Sequence, residues 1–114
     1  LDGSLIEKDG LVQMQGIPAG FMLLKRSMIE KMYEHYKDLS YDPIVPGDIS
    51  GVALFNSDVV NRKFYGEDIL FCKRAIDAGF EIWTDPNVAL SHAGAKAYLR
   101  DALKNMVGKD GQKN

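Results

Sequence analysis

The sequence predicts an α/β fold, a short mixed sheet with flanking helices, on three observations. Two segments, opening near Ser27 and near Gly66, carry apolar residues at helical spacing. Short continuous apolar runs at 21–24, 52–55, 80–83 and 88–90 have the length of buried strands. Glycines and prolines at 16–20, 43–51, 79 and 86 punctuate the chain between them.

The 114 residues are expected to form a single domain over 1–114, with a core at about 11–107 and a polar tail at 108–114 that frays. A chain of this size buries roughly two thirds of its unfolded surface, enough for one modest core. Its 46% hydrophobic content marks a globular chain rather than a disordered one. A net charge of -2 provides no basic field for nucleic acid and no single-sign face for a membrane surface. The apolar stretches are only a few residues long, too short to span a bilayer. No secretory leader pattern opens the chain. Its start at Leu1 rather than Met suggests a processed or truncated piece. Cys72, the single cysteine, excludes an intrachain disulfide and fits a reducing, cytoplasmic compartment. Within an apolar helical stretch it reads as inert core rather than as a reactive thiol.

Each element has a local reason. Residues 1–10 read as a polar loop with a short strand near Leu5 and Ile6, and 11–15 as an extended lead-in. In 16–20, Pro18 fixes its own φ and pushes Ile17 to extended backbone, while the glycines allow close approach of other groups. The run 21–24 reads as a buried strand. Ser27 is an N-cap with Glu30 three residues on, a capping box. Met28, Ile29, Met32, Tyr33 and Tyr36 carry that helix to about Lys37. The loop 39–51 holds Pro43, Pro46, Gly47 and Gly51, and loops of such length often serve as binding lids. A strand at 52–55 and a polar connector at 56–63 follow. The second helix runs from Gly66 to Gly79, with Ile69, Cys72, Ala75 and Ile76 on one face, widened by Leu70 and Phe71. Gly79 supplies the left-handed exit. Strands at 80–83 and 88–90 flank the turn Asp85-Pro86-Asn87, and a last helix at about 95–107 presents Leu99, Leu103 and Met106.

Chemistry-bearing residues sit where these elements start or end. Glu67 and Asp68 open the second helix. Carboxylates there gain roughly 0.3–1 kcal/mol from the helix dipole, a sufficient structural reason for their presence. The same position also makes a rigid, ionised base able to take a proton from a hydroxyl, with the neighbouring acid holding that hydroxyl. Position alone leaves both open. His92 follows an apolar strand and is either a hydrogen-bonded surface residue or a metal ligand. A nucleotide-bridging Mn²⁺ or Mg²⁺ takes carboxylates with one optional imidazole. No Asp-x-Asp occurs in the chain to provide the carboxylate pair. Trp83 offers a face for stacking on a sugar, or packs as a core residue beside Ile82. Lys25 and Arg26 form a solvated strand end, or else pair with phosphate or with the two acids. His35 carries no functional reading. There is no glycine-rich phosphate loop, nucleophile elbow or zinc-type cysteine spacing.

Taken in order, Pro18-Ala19-Gly20-Phe21-Met22-Leu23-Leu24-Lys25-Arg26, Leu54-Phe55, Tyr65-Gly66-Glu67-Asp68-Ile69-Leu70-Phe71-Cys72-Lys73-Arg74, Ala78-Gly79-Phe80-Glu81-Ile82-Trp83-Thr84-Asp85-Pro86 and Leu90-Ser91-His92-Ala93-Gly94 form one series. It resembles the C-terminal, acceptor-binding half of glycosyltransferases with the GT-A fold, in a bacterial and phage-type group related to family 2. The resemblance covers roughly residues 11 to 100. It implies a partial GT-A-like, nucleotide-diphospho-sugar transferase fold. It makes Asp68 the catalytic base of an inverting transfer and Glu67 the residue that orients the acceptor hydroxyl. Ala19 and Gly20 would line the donor-sugar and acceptor pocket, and Trp83 would support the acceptor side. His92 would be the third protein ligand of a Mn²⁺ or Mg²⁺ that stabilises the departing nucleoside diphosphate. The implied partners are a nucleotide-sugar donor and a glycan or lipid-linked acceptor, the latter bringing peripheral membrane association of the full protein. Nucleic acid is not among them. The nucleotide-binding βαβ units and their Asp-x-Asp are missing, so the chain is expected to be a half-site, inactive alone. Two alternatives stand beside this. One is a non-catalytic module that binds glycan or self-associates into a homo-oligomer through its open sheet edge. The other is an α/β domain of unrelated role.

Overall fold

The computed structural model describes residues 4–94 and 98–99. Its strands are β1 (Glu7–Lys8), β2 (Leu11–Met14), β3 (Ser40–Tyr41), β4 (Gly51–Val52), β5 (Asp58–Val60), β6 (Lys63–Tyr65), β7 (Ile82–Thr84), β8 (Ser91–His92) and β9 (Tyr98–Leu99). Its helices are α1 (Arg26–His35) and α2 (Glu67–Asp77). Two units divide it, one ending at Thr84 and one beginning at Asp85.

The expected class, α/β, holds, but the single mixed sheet does not form. The described strands pair antiparallel throughout, in one sheet of order β1-β2-β7 and three two-stranded ladders, β3–β4, β5–β6 and β8–β9. Short strands joined by tight turns can pair only antiparallel, because a parallel neighbour needs a long crossover. Two such turns are two-residue hairpins with consecutive left-handed residues. Asp9 (φ 53) and Gly10 (φ 78) join β1 to β2. Asn61 (φ 51) and Arg62 (φ 64) join β5 to β6, in place of the expected polar connector. Left-handed pairs of this type match the twist of the strands they connect.

The apolar run 21–24 is not a strand. Ala19–Phe21 is a 3-10 turn, and the residues after it are extended without a partner. Extended backbone alternates its side chains, so Met22 and Leu24 pack against the core while Leu23 is 95% exposed. The run 52–55 is strand only at Val52, and 88–90 is unpaired, with strand pairing resuming at Ser91.

Helix α1 starts without the expected capping box. Lys25 takes the N-cap position and Ser27 lies inside the first turn, making no cap bond. Glu30 instead accepts from Arg26 Nε at 2.9 Å, one helical turn away. The helix ends at His35, and a 3-10 turn, Lys37–Leu39, carries the chain into β3.

Helix α2 has Gly66 at its N-cap and leaves through Gly79 at φ 91. The Gly79 N–H donates to the Ile76 carbonyl and the Phe80 N–H to the Ala75 carbonyl, each at 2.9 Å. That bonding pattern is a Schellman exit, which needs a left-handed residue where Gly79 stands. The buried face keeps four of the expected residues and adds Arg74. Leu70, Phe71, Cys72, Arg74 and Ala75 are buried, whereas Ile69 and Ile76 lie at its margin.

The core of the first unit forms between the two helices. Met32, Leu54, Phe71 and Ala75 are its buried members, with Met28, Ile29, Tyr36, Val52 and Phe80 packed around them. Burying a side chain such as Phe71 contributes roughly 1.5–3 kcal/mol. Phe55 stacks on Phe71 with centroids 4.0 Å apart and planes 9° apart. Arg74 enters this apolar layer with its charge satisfied by neutral oxygens. Its Nη1 donates to the carbonyls of Ala53 (3.0 Å) and Leu54 (2.9 Å) and to Asn56 Oδ1. The Tyr36 hydroxyl donates to the Arg74 carbonyl at 2.7 Å, which ties the end of α1 to α2.

The second unit opens with the expected turn, in which Asp85 Oδ1 accepts the Asn87 N–H at 2.8 Å. Its ladder pairs Ser91 with Leu99 and His92 with Tyr98. Tyr98 and Leu99, expected inside a last helix, are strand instead. The rest of that predicted helix, like the predicted tail, lies outside the described residues. Among the described residues, no helix is long and apolar enough to cross a membrane.

Candidate functional site

The acids expected to carry chemistry stand at the start of α2. Glu67 and Asp68 are its first two residues, Glu67 exposed and Asp68 half-buried. Gly66 offers no side chain to cap the helix, and Asp68 takes over part of that work. Its Oδ1 accepts the Ile69 N–H at 2.8 Å, one of the amides a helix start leaves unpaired. Oδ2 accepts no hydrogen bond from the described residues. One Asp68 oxygen is therefore structural, and the other is available to a proton donor.

The segment 16–20 lies against the same end of α2. A Cβ built on Gly16 would stand 3.0 Å from Ile69 Cδ1, so this glycine permits the close approach. The Ile17 N–H donates to Cys72 Sγ at 3.5 Å, and the thiol donates back to the Ile17 carbonyl at 3.6 Å. Cys72 is 1% exposed, as an inert core cysteine should be. Ala19 and Gly20 follow in the exposed 3-10 turn. A Cβ on Gly20 would meet nothing within 4 Å, so no protein group packs against this glycine.

Trp83 lies in the three-stranded sheet. It sits on β7 opposite Gln13 of β2, and the chain leaving β2 reaches Gly16 directly after Gln15. Trp83 is half-buried, and its indole N–H donates to Glu81 Oε2 at 3.0 Å. Of the expected site residues, Glu67 and Asp68 stand together at the start of α2, and these contacts do not join Trp83, Ala19 or Gly20 to them. His92 belongs to the second unit, in β8. Among the described residues, no three His, Cys, Asp or Glu side chains gather as metal ligands would. Arg26, weighed as a partner for the two acids, pairs with Glu30.

Two features have little or no signature in the sequence. One is buried Arg74, whose pattern in sequence is that of an ordinary surface residue beside Lys73. The other is a cleft of about 380 Å³ lined by Ile29, Tyr33, Tyr41, Leu54 and Phe55. Its sequence signal is the long loop 39–51, which β3 and β4 close at its base.

Electrostatic perturbation is found where α1 ends and along α2. Burial pushes the Tyr36 phenol above its ordinary value, and the nearby Asp77 carboxylate adds to the rise. Lys73 is raised by its hydrogen bond to Asp77 at 2.6 Å. No known protein family, curated protein or solved structure matches this chain.

Proposed function

We propose that this chain is the acceptor-binding half of a glycosyltransferase with a GT-A-like fold, with Asp68 as the base of an inverting transfer. The motif order supports this reading. The observation that carries it is the contact of Gly16 with Ile69 and of Ile17 with Cys72, which sets the chain leading to Ala19 and Gly20 against α2 beside its Glu67–Asp68 start. Asp68 would take the proton of an acceptor hydroxyl as its oxygen attacks the anomeric carbon of the donor sugar and the nucleoside diphosphate departs. Glu67 would accept a hydrogen bond from the same acceptor and fix its angle. The donor nucleotide would be held by βαβ units outside these residues. The described residues do not fit a Mn²⁺ or Mg²⁺ site, because a single imidazole cannot replace the several oxygen ligands that such an ion takes. The test is sugar transfer from a panel of UDP-, GDP- and TDP-sugars by a protein joining this chain to such a nucleotide-binding half. Asp68→Asn is expected to lower turnover at least ~10²-fold. Undiminished turnover in that variant would sink the assignment.

A second reading, a glycan-binding module without transfer, is favoured by a separate observation. Tyr33, Tyr41 and Phe55 keep 48%, 50% and 45% of their surface exposed around one cleft. Glycan binding with no transfer by the joined protein would select it.

A further inference from the structure

The cleft beside α1 shares Tyr33, Tyr41 and Val52 with a second hollow of about 400 Å³. Each has the size of a small-molecule site, which typically spans roughly 300–1,000 Å³. We propose that this cleft binds a neutral pyranose, one sugar of the acceptor glycan, with the tyrosine rings against its apolar face and Asp42 accepting from its hydroxyls. The inference rests on the carbohydrate reading of the α2 start but uses none of its residues.

Three features of the cleft match that ligand. A pyranose has a face of C–H groups that packs on aromatic rings, and Tyr33 and Tyr41 present half-exposed rings here. Tyr41 is held across the backbone of Gly51, its partner in the β3–β4 ladder. A Cβ at Gly51 would stand 2.9 Å from the Tyr41 hydroxyl and 3.1 and 3.2 Å from two ring atoms, so glycine makes room for the ring. Next to Tyr41, Asp42 Oδ1 accepts the Ser50 hydroxyl at 2.9 Å, which orients the carboxylate. A carboxylate fixed in this way accepts hydrogen bonds from sugar hydroxyls, as acceptor-only groups do.

Charge narrows the choice. Among the described residues lining the two hollows, Asp42 carries the one charged side chain, and no lysine or arginine joins it. A sugar phosphate, a uronate or a nucleotide would find a repulsive carboxylate and no cationic partner. An anionic occupant is therefore disfavoured, and the donor nucleotide belongs elsewhere.

The experiment is an amide chemical-shift titration of the full ¹⁵N-labelled chain. The probes are the methyl pyranosides of glucose, galactose and mannose, with glucuronate and glucose 6-phosphate as anionic comparators. At least one neutral pyranoside is expected to shift Tyr33, Tyr41, Asp42 and residues 50–55. Tyr41→Ala should weaken binding roughly tenfold, the loss of one stacking face. Gly51→Ala should weaken it similarly by displacing the Tyr41 ring, and the wild-type-like remainder of each spectrum shows that the variant folds. Asp42→Asn should narrow the discrimination against glucose 6-phosphate. The proposal is overturned if no pyranoside binds, if the shifts centre outside the cleft, or if the anionic sugars bind more tightly. A silent cleft with Asp68-dependent transfer overturns this inference alone. A binding cleft with transfer indifferent to Asp68→Asn overturns the transferase reading alone.

Discussion

Asp68 and Arg74 both engage backbone groups, yet substitution should affect them oppositely. Asp68 Oδ1 caps the Ile69 N–H, and an asparagine carbonyl oxygen can accept that bond equally well. Asp68→Asn should therefore change stability by less than about 1 kcal/mol while removing the proton acceptor that transfer would need. A large fall in thermal midpoint in that variant would show that lost activity reports folding rather than chemistry. Arg74 has no such substitute. Its Nη1 serves the carbonyls of Ala53 and Leu54 and the side chain of Asn56 in a buried layer. Arg74→Met keeps much of the stem but leaves those oxygens without a donor, at about 1–3 kcal/mol for each one that stays buried. A loss of about 2–4 kcal/mol is expected in urea unfolding, since water will reach some of them. A midpoint within error of wild type would show that these contacts contribute nothing net.

At the scale of elements, the joint between α1 and α2 should make stability fall at alkaline pH. The Tyr36 hydroxyl donates to the Arg74 carbonyl, and burial, followed by the Asp77 charge, raises its pKa in the folded chain. A raised folded pKa means that the contribution is complete below the unfolded value of about 10 and is lost as pH rises through the folded one. Tyr36→Phe should cost about 1 kcal/mol near neutral pH and flatten the alkaline limb of the stability profile. Parallel profiles for the two proteins would refute the link. The exit of α2 gives a second expectation. Gly79→Ala places a Cβ on a residue at φ 91 and should cost about 1–2 kcal/mol in the same unfolding experiment. These elements also show what is legible in the sequence. Helix α2 is readable at both ends because Gly66-Glu67-Asp68 and Gly79 act locally, through dipole and left-handed backbone. The turn at Asp85 is readable for the same reason. Most of the buried face of α2 is readable too, but the burial of Arg74 is not, because the bonds that carry it inward come from residues 53–56, distant in sequence. The run 21–24 misleads because its composition suggests burial on both faces, while extended backbone buries only alternate residues. The β5–β6 hairpin is hidden because Asn61-Arg62 lacks the glycine that usually marks such a turn. Of the candidate site, the acids and the 16–20 segment are legible as motifs. The cleft is not, since it depends on a β3–β4 ladder of two residues per strand that places Tyr41 over Gly51, with Tyr33 of α1 lining the same hollow.

For the whole molecule, the distribution of the core decides which activities should be separable. Among the described residues, the buried side chains all fall between Met32 and Ala75, and the β2–β7 ladder is complete at Thr84. A chain ending after Thr84 should therefore retain one cooperative unfolding transition, because its packed layer loses no member. The cleft lies wholly within that part, so pyranoside binding should persist in the shortened chain with an affinity close to that of the full one. Binding should also be indifferent to chelation of divalent cations, since Asp42 is a single carboxylate and a hard cation requires several oxygen ligands. Transfer should behave differently. Under the proposed function it needs the donor half as well. Removing that half from the joined protein should therefore abolish turnover while acceptor binding continues. Calorimetry of the shortened chain, sugar titration with and without EDTA, and turnover of the joined protein measure the three expectations independently. A shortened chain that unfolds without a cooperative transition would place part of the folding energy after Thr84, and the expected persistence of sugar binding in that chain would then fail with it.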